Sequence, residues 1–159
     1  MPATDKAHDV RAEIDRLSSS AESPEQLMSA IVHLLHEKML KYNWVGFYML
    51  EKSEPMLALG PFEGAMTPHT RIPLNQGICG AAASSGKTVV VDDVNSDPRY
   101  LACSLETKSE IVVPIFSKGE VVGELDIDSH FPAAFTAEDR ELVEHCAATV
   151  GKYLEPKCS

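Results

Sequence analysis

The 159-residue chain is expected to fold as α+β, an antiparallel sheet with helices mainly on one face and a ligand pocket on the other. Three observations point there. Helical periodicity is confined to the two ends, and period-two alternation fills the middle. The element order also contains no repeated strand-helix-strand crossover of the kind that builds a parallel sheet.

The first helix runs from about Thr4 to Leu17, with Val10, Ile14 and Leu17 at helical spacing among charges. Ser23-Pro24-Glu25-Gln26 then presents a serine cap, proline at the first helical position and glutamine at the third, a capping-box signature. The helix it opens carries Leu27, Ile31, Leu34 and Leu35 on its core stripe and is expected to end near Asn43. At Trp44 the period switches. Trp44–Glu51 reads as a strand, Met56–Leu59 as its partner and Arg71–Leu74 as a further short strand. Gly77–Ser85 reads as a short helix entered through a glycine turn, followed by the strand Thr88–Val91. The irregular stretch Asp92–Lys108 is long for a compact domain, which marks it as functional. Ser109–Ser117 and Val121–Ser129 are rich in β-branched residues and meet around Lys118-Gly119, the clearest hairpin in the chain. Thr136 caps a final helix to about Leu154, with Leu142, Cys146, Thr149, Val150 and Tyr153 as its stripe.

Alternation divides the strand residues between two faces. Val45, Phe47, Met49, Ile111, Val113, Ile115, Leu125 and Ile127 fall on the face that should meet the helices. The other face carries Trp44, Tyr48, Glu110, Asp126 and Asp128, with Glu124 on the same side of its strand. An isolated acid on a sheet is ordinarily a solvated surface residue. Here two large aromatics would be left in water, and the carboxylates repel one another unless a cation or a shared proton lies among them.

Composition narrows the partners. Lys+Arg 14 against Asp+Glu 24 gives a net charge of −10, which repels phosphate backbones and anionic lipid, so neither nucleic acid nor a membrane is expected as a partner. The N-terminus has no apolar core of a signal peptide, and a cytoplasmic location is expected. In that compartment thiols are core residues or redox groups rather than halves of structural bridges. Cys146 falls on a helical apolar stripe and Cys158 is penultimate, so both read as bystanders. Cys79, in Gly77-Ile78-Cys79-Gly80, sits at a helix N-terminus, where free N–H groups favour a thiolate. Cys103 lies in the long loop ahead of the strand that delivers Glu110, and is a candidate nucleophile. No metal site is expected: the histidines show no zinc spacing, and Asp126-Ile127-Asp128-Ser129 lacks the glycine and closing glutamate of a calcium loop. Gly80 to Thr88 has the wrong glycine spacing for a phosphate loop, and Thr88 opens a strand where that motif needs a helix.

Several segments together carry a resemblance. Asn43-Trp44-Val45-Gly46-Phe47-Tyr48, Leu59-Gly60-Pro61-Phe62-Glu63-Gly64, Gly77-Ile78-Cys79-Gly80, Ala102-Cys103 through Pro114, and Leu125-Asp126-Ile127-Asp128-Ser129 resemble the GAF-domain free methionine-(R)-sulfoxide reductases. The resemblance spans about Ser23 to Leu154. It implies a GAF domain over residues 23–155, preceded by an N-terminal extension, 1–22, and followed by a short tail, 156–159. It further implies reduction of free rather than protein-bound methionine-(R)-sulfoxide, with Trp44, Tyr48, Glu110, Asp126 and Asp128 binding substrate. No cofactor is implied beyond an external thiol reductant of the thioredoxin/NADPH type, and a homodimer is implied.

One departure stands out. The family's first motif cysteine precedes the glycine turn, and this chain reads Met66-Thr67-Pro68-His69-Thr70-Arg71 there, with His69 at or next to the position. That leaves Cys79 or an outside thiol to pair with Cys103. Cys103 is assigned the attack and Cys79 the resolution on position alone, so the reverse assignment stays open. Two rival readings are a GAF module that only binds a small molecule and a thiol redox sensor using the Cys79–Cys103 pair. The chain ends about one helix past this pattern, and a sensor generally needs an output module, which favours the enzyme.

Overall fold

The computed structural model describes residues 3–51, 53–74, 76–100 and 106–155. The elements are α1 (Ala3–Ser20), α2 (Pro24–Lys38), β1 (Trp44–Leu50), β2 (Met56–Glu63), β3 (Arg71–Pro73), α3 (Gly77–Ser85), β4 (Val89–Val91), β5 (Ser109–Ser117), β6 (Glu120–Ser129) and α4 (Ala137–Leu154), with a single 3-10 turn at Val94–Ser96. All strand pairs are antiparallel, in the order β3-β2-β1-β6-β5-β4. The α+β class and the antiparallel sheet are as expected.

Two layers flank the sheet. On one face α1, α2 and α4 close the main core around Ile14, Leu27, Ile31, Leu35, Val45, Phe47, Ile111, Ile115, Leu125, Ile127, Leu142 and Cys146, all buried. Cys146 is thus a core residue, and burial pushes its thiol up. On the other face α3 covers a second apolar cluster that includes Trp44, Tyr48, Leu57, Ile72, Ile78, Cys79, Ala82 and Val112. The Gly/Ala-rich composition of α3 permits that close approach: a Cβ on Gly80 would meet the Leu74 carbonyl oxygen at 2.8 Å.

Three boundaries differ from expectation, each for a local reason. α1 continues through Ser18-Ser19-Ser20 because their hydroxyls bond back to the Asp15 and Arg16 carbonyls. α2 stops at Lys38 and not near Asn43: Met39 leaves the helix so that Tyr42 can enter the core and donate its hydroxyl to Asp139 at 2.5 Å. β2 runs on past Leu59 to Glu63, with Gly60-Pro61 absorbed in a bulge opposite Phe47, where the missing proline N–H breaks no ladder bond. The Ser23 cap accepts from the Gln26 N–H, and Gln26 returns its bond to the Glu22 N–H, one residue earlier than a capping box requires. At α4 the Thr136–Asp139 capping box is complete. The β5–β6 turn is the two-residue pair Lys118-Gly119, both at positive φ.

Candidate active site

The register of the three central strands builds the site in rows. Trp44 on β1 faces Asp128 on β6, which faces Glu110 on β5. The next row is Gly46, Asp126 and Val112, and the third is Tyr48, Glu124 and Pro114. Because side chains alternate, rows two residues apart share one face, the face that α3 covers. The acids are therefore buried: Glu110 5% exposed, Glu124 0%, Asp126 3% and Asp128 3%.

The aromatic residues are fixed by their polar ends. The Trp44 indole N–H donates to the Ala65 carbonyl at 3.0 Å, and its ring stacks on Phe62 with centroids 5.7 Å apart. Gly46 is required beneath it, since a Cβ there would come within 2.8 Å of the indole Cζ3. The Tyr48 hydroxyl donates to the His69 carbonyl at 2.7 Å, so the segment carrying His69 is tied to the site by its backbone.

Cys79 enters from the opposite side, on the first turn of α3. Its Sγ–H donates to Asp126 Oδ2 at 3.3 Å. A helix N-terminus alone favours the thiolate, and that was the expectation. The buried setting reverses it. Desolvation first, then the charges of Asp126, Glu124 and Glu110, push the Cys79 thiol well above its usual range. The carboxyls respond in the same way. Glu110 and Asp128 are raised well above the ordinary carboxylate range by desolvation and then by the neighbouring Asp126, and Asp126 is raised by desolvation. Mutual repulsion, expected as the cause, ranks second to burial.

A small cavity of ≈ 20 Å³ lies at this point, lined by Tyr48, His69, Ile72, Gly77, Ile78, Cys79, Glu110 and Asp126. It holds a water-sized group and not an amino acid, so a larger ligand must displace part of the wall. Of the residues singled out in the sequence, Tyr48, Cys79, Glu110 and Asp126 meet here. Trp44 and Asp128 share the row of Glu110 but stand outside the lining. Cys103 and Cys158 lie outside the described residues, as does the proposed tail 156–159. Glu124 was passed over in the sequence. Alternation had set it on the right side of β6, yet nothing in the chain signalled that α3 would seal that end of the hairpin. Among the described residues neither Glu124 oxygen has a hydrogen-bond partner by geometry, and desolvation, outweighing the opposing effect of the nearby Cys79 thiol, raises its carboxyl well above the usual range.

The arrangement sets carboxyls that hold their protons more tightly than usual, and a thiol, around a shielded point flanked by aromatic faces: groups suited to a small zwitterion and to proton delivery. A six-stranded antiparallel sheet with three helices behind it and a covered ligand face in front defines a GAF domain, and residues 23–154 match that family. Within the class, the chain is 42% identical over 126 residues to the free methionine-R-sulfoxide reductase of Saccharomyces cerevisiae, covering 78% of this chain and 69% of the relative. It is 38% identical over 121 residues to the free methionine-R-sulfoxide reductase of Escherichia coli, covering 76% and 72%. The structure of free methionine-R-sulfoxide reductase from Neisseria meningitidis in complex with its substrate superposes with a TM-score of 0.91 at 34% identity, covering 96% of this chain and 90% of that one. The chain belongs to the free methionine-R-sulfoxide reductase family. No helix among the described residues is long and apolar enough to cross a membrane.

Proposed function

We propose that this protein reduces free L-methionine-(R)-sulfoxide to methionine, using Cys103 as the attacking thiol and Cys79 as the resolving one. The observation that carries the reading is the buried acidic cluster facing Cys79. A sulfoxide sulfur accepts a thiolate only as its oxygen gains a proton, and Glu110, Asp126 and Asp128 all hold protons above the ordinary carboxylate range. Glu110 and Asp126 both line the cavity, and Glu110, the more strongly raised of the two, delivers that proton. An ionised neighbour holds the substrate ammonium, and Trp44 and Tyr48 enclose the methyl-sulfur end.

The atoms balance in two steps. Cys103 attacks sulfur and takes the oxygen as a sulfenic acid, releasing methionine. The Cys79 thiol then condenses with the sulfenic acid to give a disulfide and water. A thioredoxin-type dithiol, supplied with electrons from NADPH, returns both cysteines to thiols by exchange. The family resemblance supports a homodimer as the assembly. Binding of the whole amino acid explains the restriction to free substrate, because the acidic site recognises an ammonium that a peptide bond would remove.

The test is turnover by the purified, reduced protein with a dithiol reductant. Free methionine-(R)-sulfoxide is converted, a peptide carrying the same sulfoxide is not, and Cys103→Ser is inactive. Full activity of Cys103→Ser, or conversion of the peptide at an equal rate, sinks the reading.

A further inference from the structure

Cys79, Glu110 and Asp126 come from α3, β5 and β6, and one ligand atom of each lies within 4.8 Å of the other two. A tetrahedral zinc ion, with Zn–S near 2.3 Å and Zn–O near 2.1 Å, sets its ligand atoms about 3.4–3.6 Å apart. The Cys79 Sγ to Asp126 Oδ2 distance is already 3.3 Å, so small side-chain adjustments centred on the longer Glu110 close the triangle. Two independent observations point to an occupant. Among the described residues no thiol, hydroxyl or amide donates to the buried Asp126 Oδ1, on a residue only 3% exposed that lines the cavity. The cavity itself, ≈ 20 Å³, is the size of an ion or a single water. Among the described residues that line it there is no lysine or arginine to offset the acids.

We propose that this cluster binds a thiophilic divalent cation of the zinc class, with Cys79 as thiolate and Glu110 and Asp126 as carboxylate ligands. The fourth position belongs to a water or a further carboxylate oxygen, for which Asp128 Oδ1, buried opposite Glu110 and without a hydrogen-bond donor among the described residues, is available. The donor set chooses the metal. One sulfur and two oxygens suit zinc or cobalt, whereas magnesium and calcium take oxygen ligands in larger numbers. On binding, the Cys79 thiol and any proton-bearing carboxyl of Glu110 and Asp126 release their protons to solvent, and the thiolate and carboxylates bond the metal. The ion occupies the point proposed for substrate and ties up the thiol proposed to resolve the sulfenic acid. Inhibition of turnover by zinc therefore rests on the reductase reading, but metal binding does not.

The experiment measures binding in the absence of substrate. Reduced, chelator-treated full-length protein is titrated with Co²⁺ and, separately, Zn²⁺ followed by calorimetry. One equivalent of Co²⁺ gives a near-ultraviolet sulfur-to-cobalt charge-transfer band, Zn²⁺ in stoichiometric amount removes it, and excess Mg²⁺ does not. Cys79→Ser abolishes the band, Cys146→Ala retains it, and Asp126→Asn weakens Co²⁺ by more than the roughly tenfold that loss of even an outer-shell partner costs a metal site. A wild-type protein that shows no zinc heat and no cobalt band overturns the proposal, as does a band that survives in Cys79→Ser. Neither result touches the sulfoxide reading. Because the wild-type titration stands by itself, a variant that fails to fold leaves the proposal exposed to refutation.

Discussion

The Cys79 thiol donates to Asp126 Oδ2 across 3.3 Å in a space sealed from solvent, with Cys79 5% and Asp126 3% exposed. A thiol held there in its protonated form is a poor initial nucleophile and a sound second one, because it needs to ionise only when a sulfenic acid stands ready to accept the proton as water. This favours the resolving role proposed for Cys79. In Cys79→Ser, a substrate pulse without reductant should yield about one equivalent of methionine and leave a sulfenic acid that dimedone traps. Release of no methionine would transfer the attacking role to Cys79.

Glu110 and Asp126 are expected to separate kinetically. Glu110→Gln keeps shape but cannot deliver a proton, and should lower kcat by about 10²–10⁴-fold with a smaller change in KM. Asp126→Asn weakens the ammonium contact and should raise KM first. Steady-state kinetics of the two variants on free methionine-(R)-sulfoxide checks the split.

The pH profile follows from the direction of the carboxyl shifts. Glu110 and Asp128 hold their protons above the ordinary carboxylate range, so the proton-donating form is complete at low pH and is lost as pH rises through the raised folded values. The single-turnover rate should therefore fall on the alkaline limb, and Glu110→Gln should flatten that limb.

Stability should follow the same groups through Glu124. Its carboxyl is raised in the fold, so the folded chain binds that proton more tightly than the unfolded one. The resulting stability is greatest at or below the ordinary carboxylate range and is lost as pH rises from there towards the folded value. Glu124→Gln removes this titration, so its Tm should decline less than wild type between about pH 5 and 8, above the ordinary carboxylate range. Glu124→Met, which also removes two unpartnered buried oxygens, should gain about 1–3 kcal/mol in urea denaturation.

Gly46→Ala tests the aromatic wall. The added methyl meets the Trp44 ring and the Phe62 Cβ, and such overpacking costs about 1–3 kcal/mol. Displacement of the indole should also raise KM in a protein that remains folded at the assay temperature.

Much of this arrangement was legible in the chain because strand alternation is a strict rule. It set Trp44, Tyr48, Glu110, Asp126 and Asp128 on one face before any contact was known, and the β1–β6–β5 register places them there. What covers that face was not legible. α3 is nearly all glycine, alanine and serine, so its own pattern does not announce a partner, and its packing alone turns solvated acids into buried ones. Hence Glu124 was overlooked, and the Cys79 thiol, read from the helix N-terminus as acidic, is shifted the other way by burial and three carboxyls. The closeness of Cys79, Glu110 and Asp126, on which the proposed cation site rests, was not legible for a related reason: they stand on three elements, and no sequence spacing connects them.

Reduction of one epimer of the free amino acid is tested most directly by supplying an equal mixture of the R and S sulfoxides of L-methionine to the protein with thioredoxin, thioredoxin reductase and NADPH, and separating the products on a chiral column. Consumption should stop at half of the sulfoxide, with one NADPH oxidised per methionine formed and only the S epimer left. Sulfoxide that remains untouched, or loss of both epimers at similar rates, would contradict it.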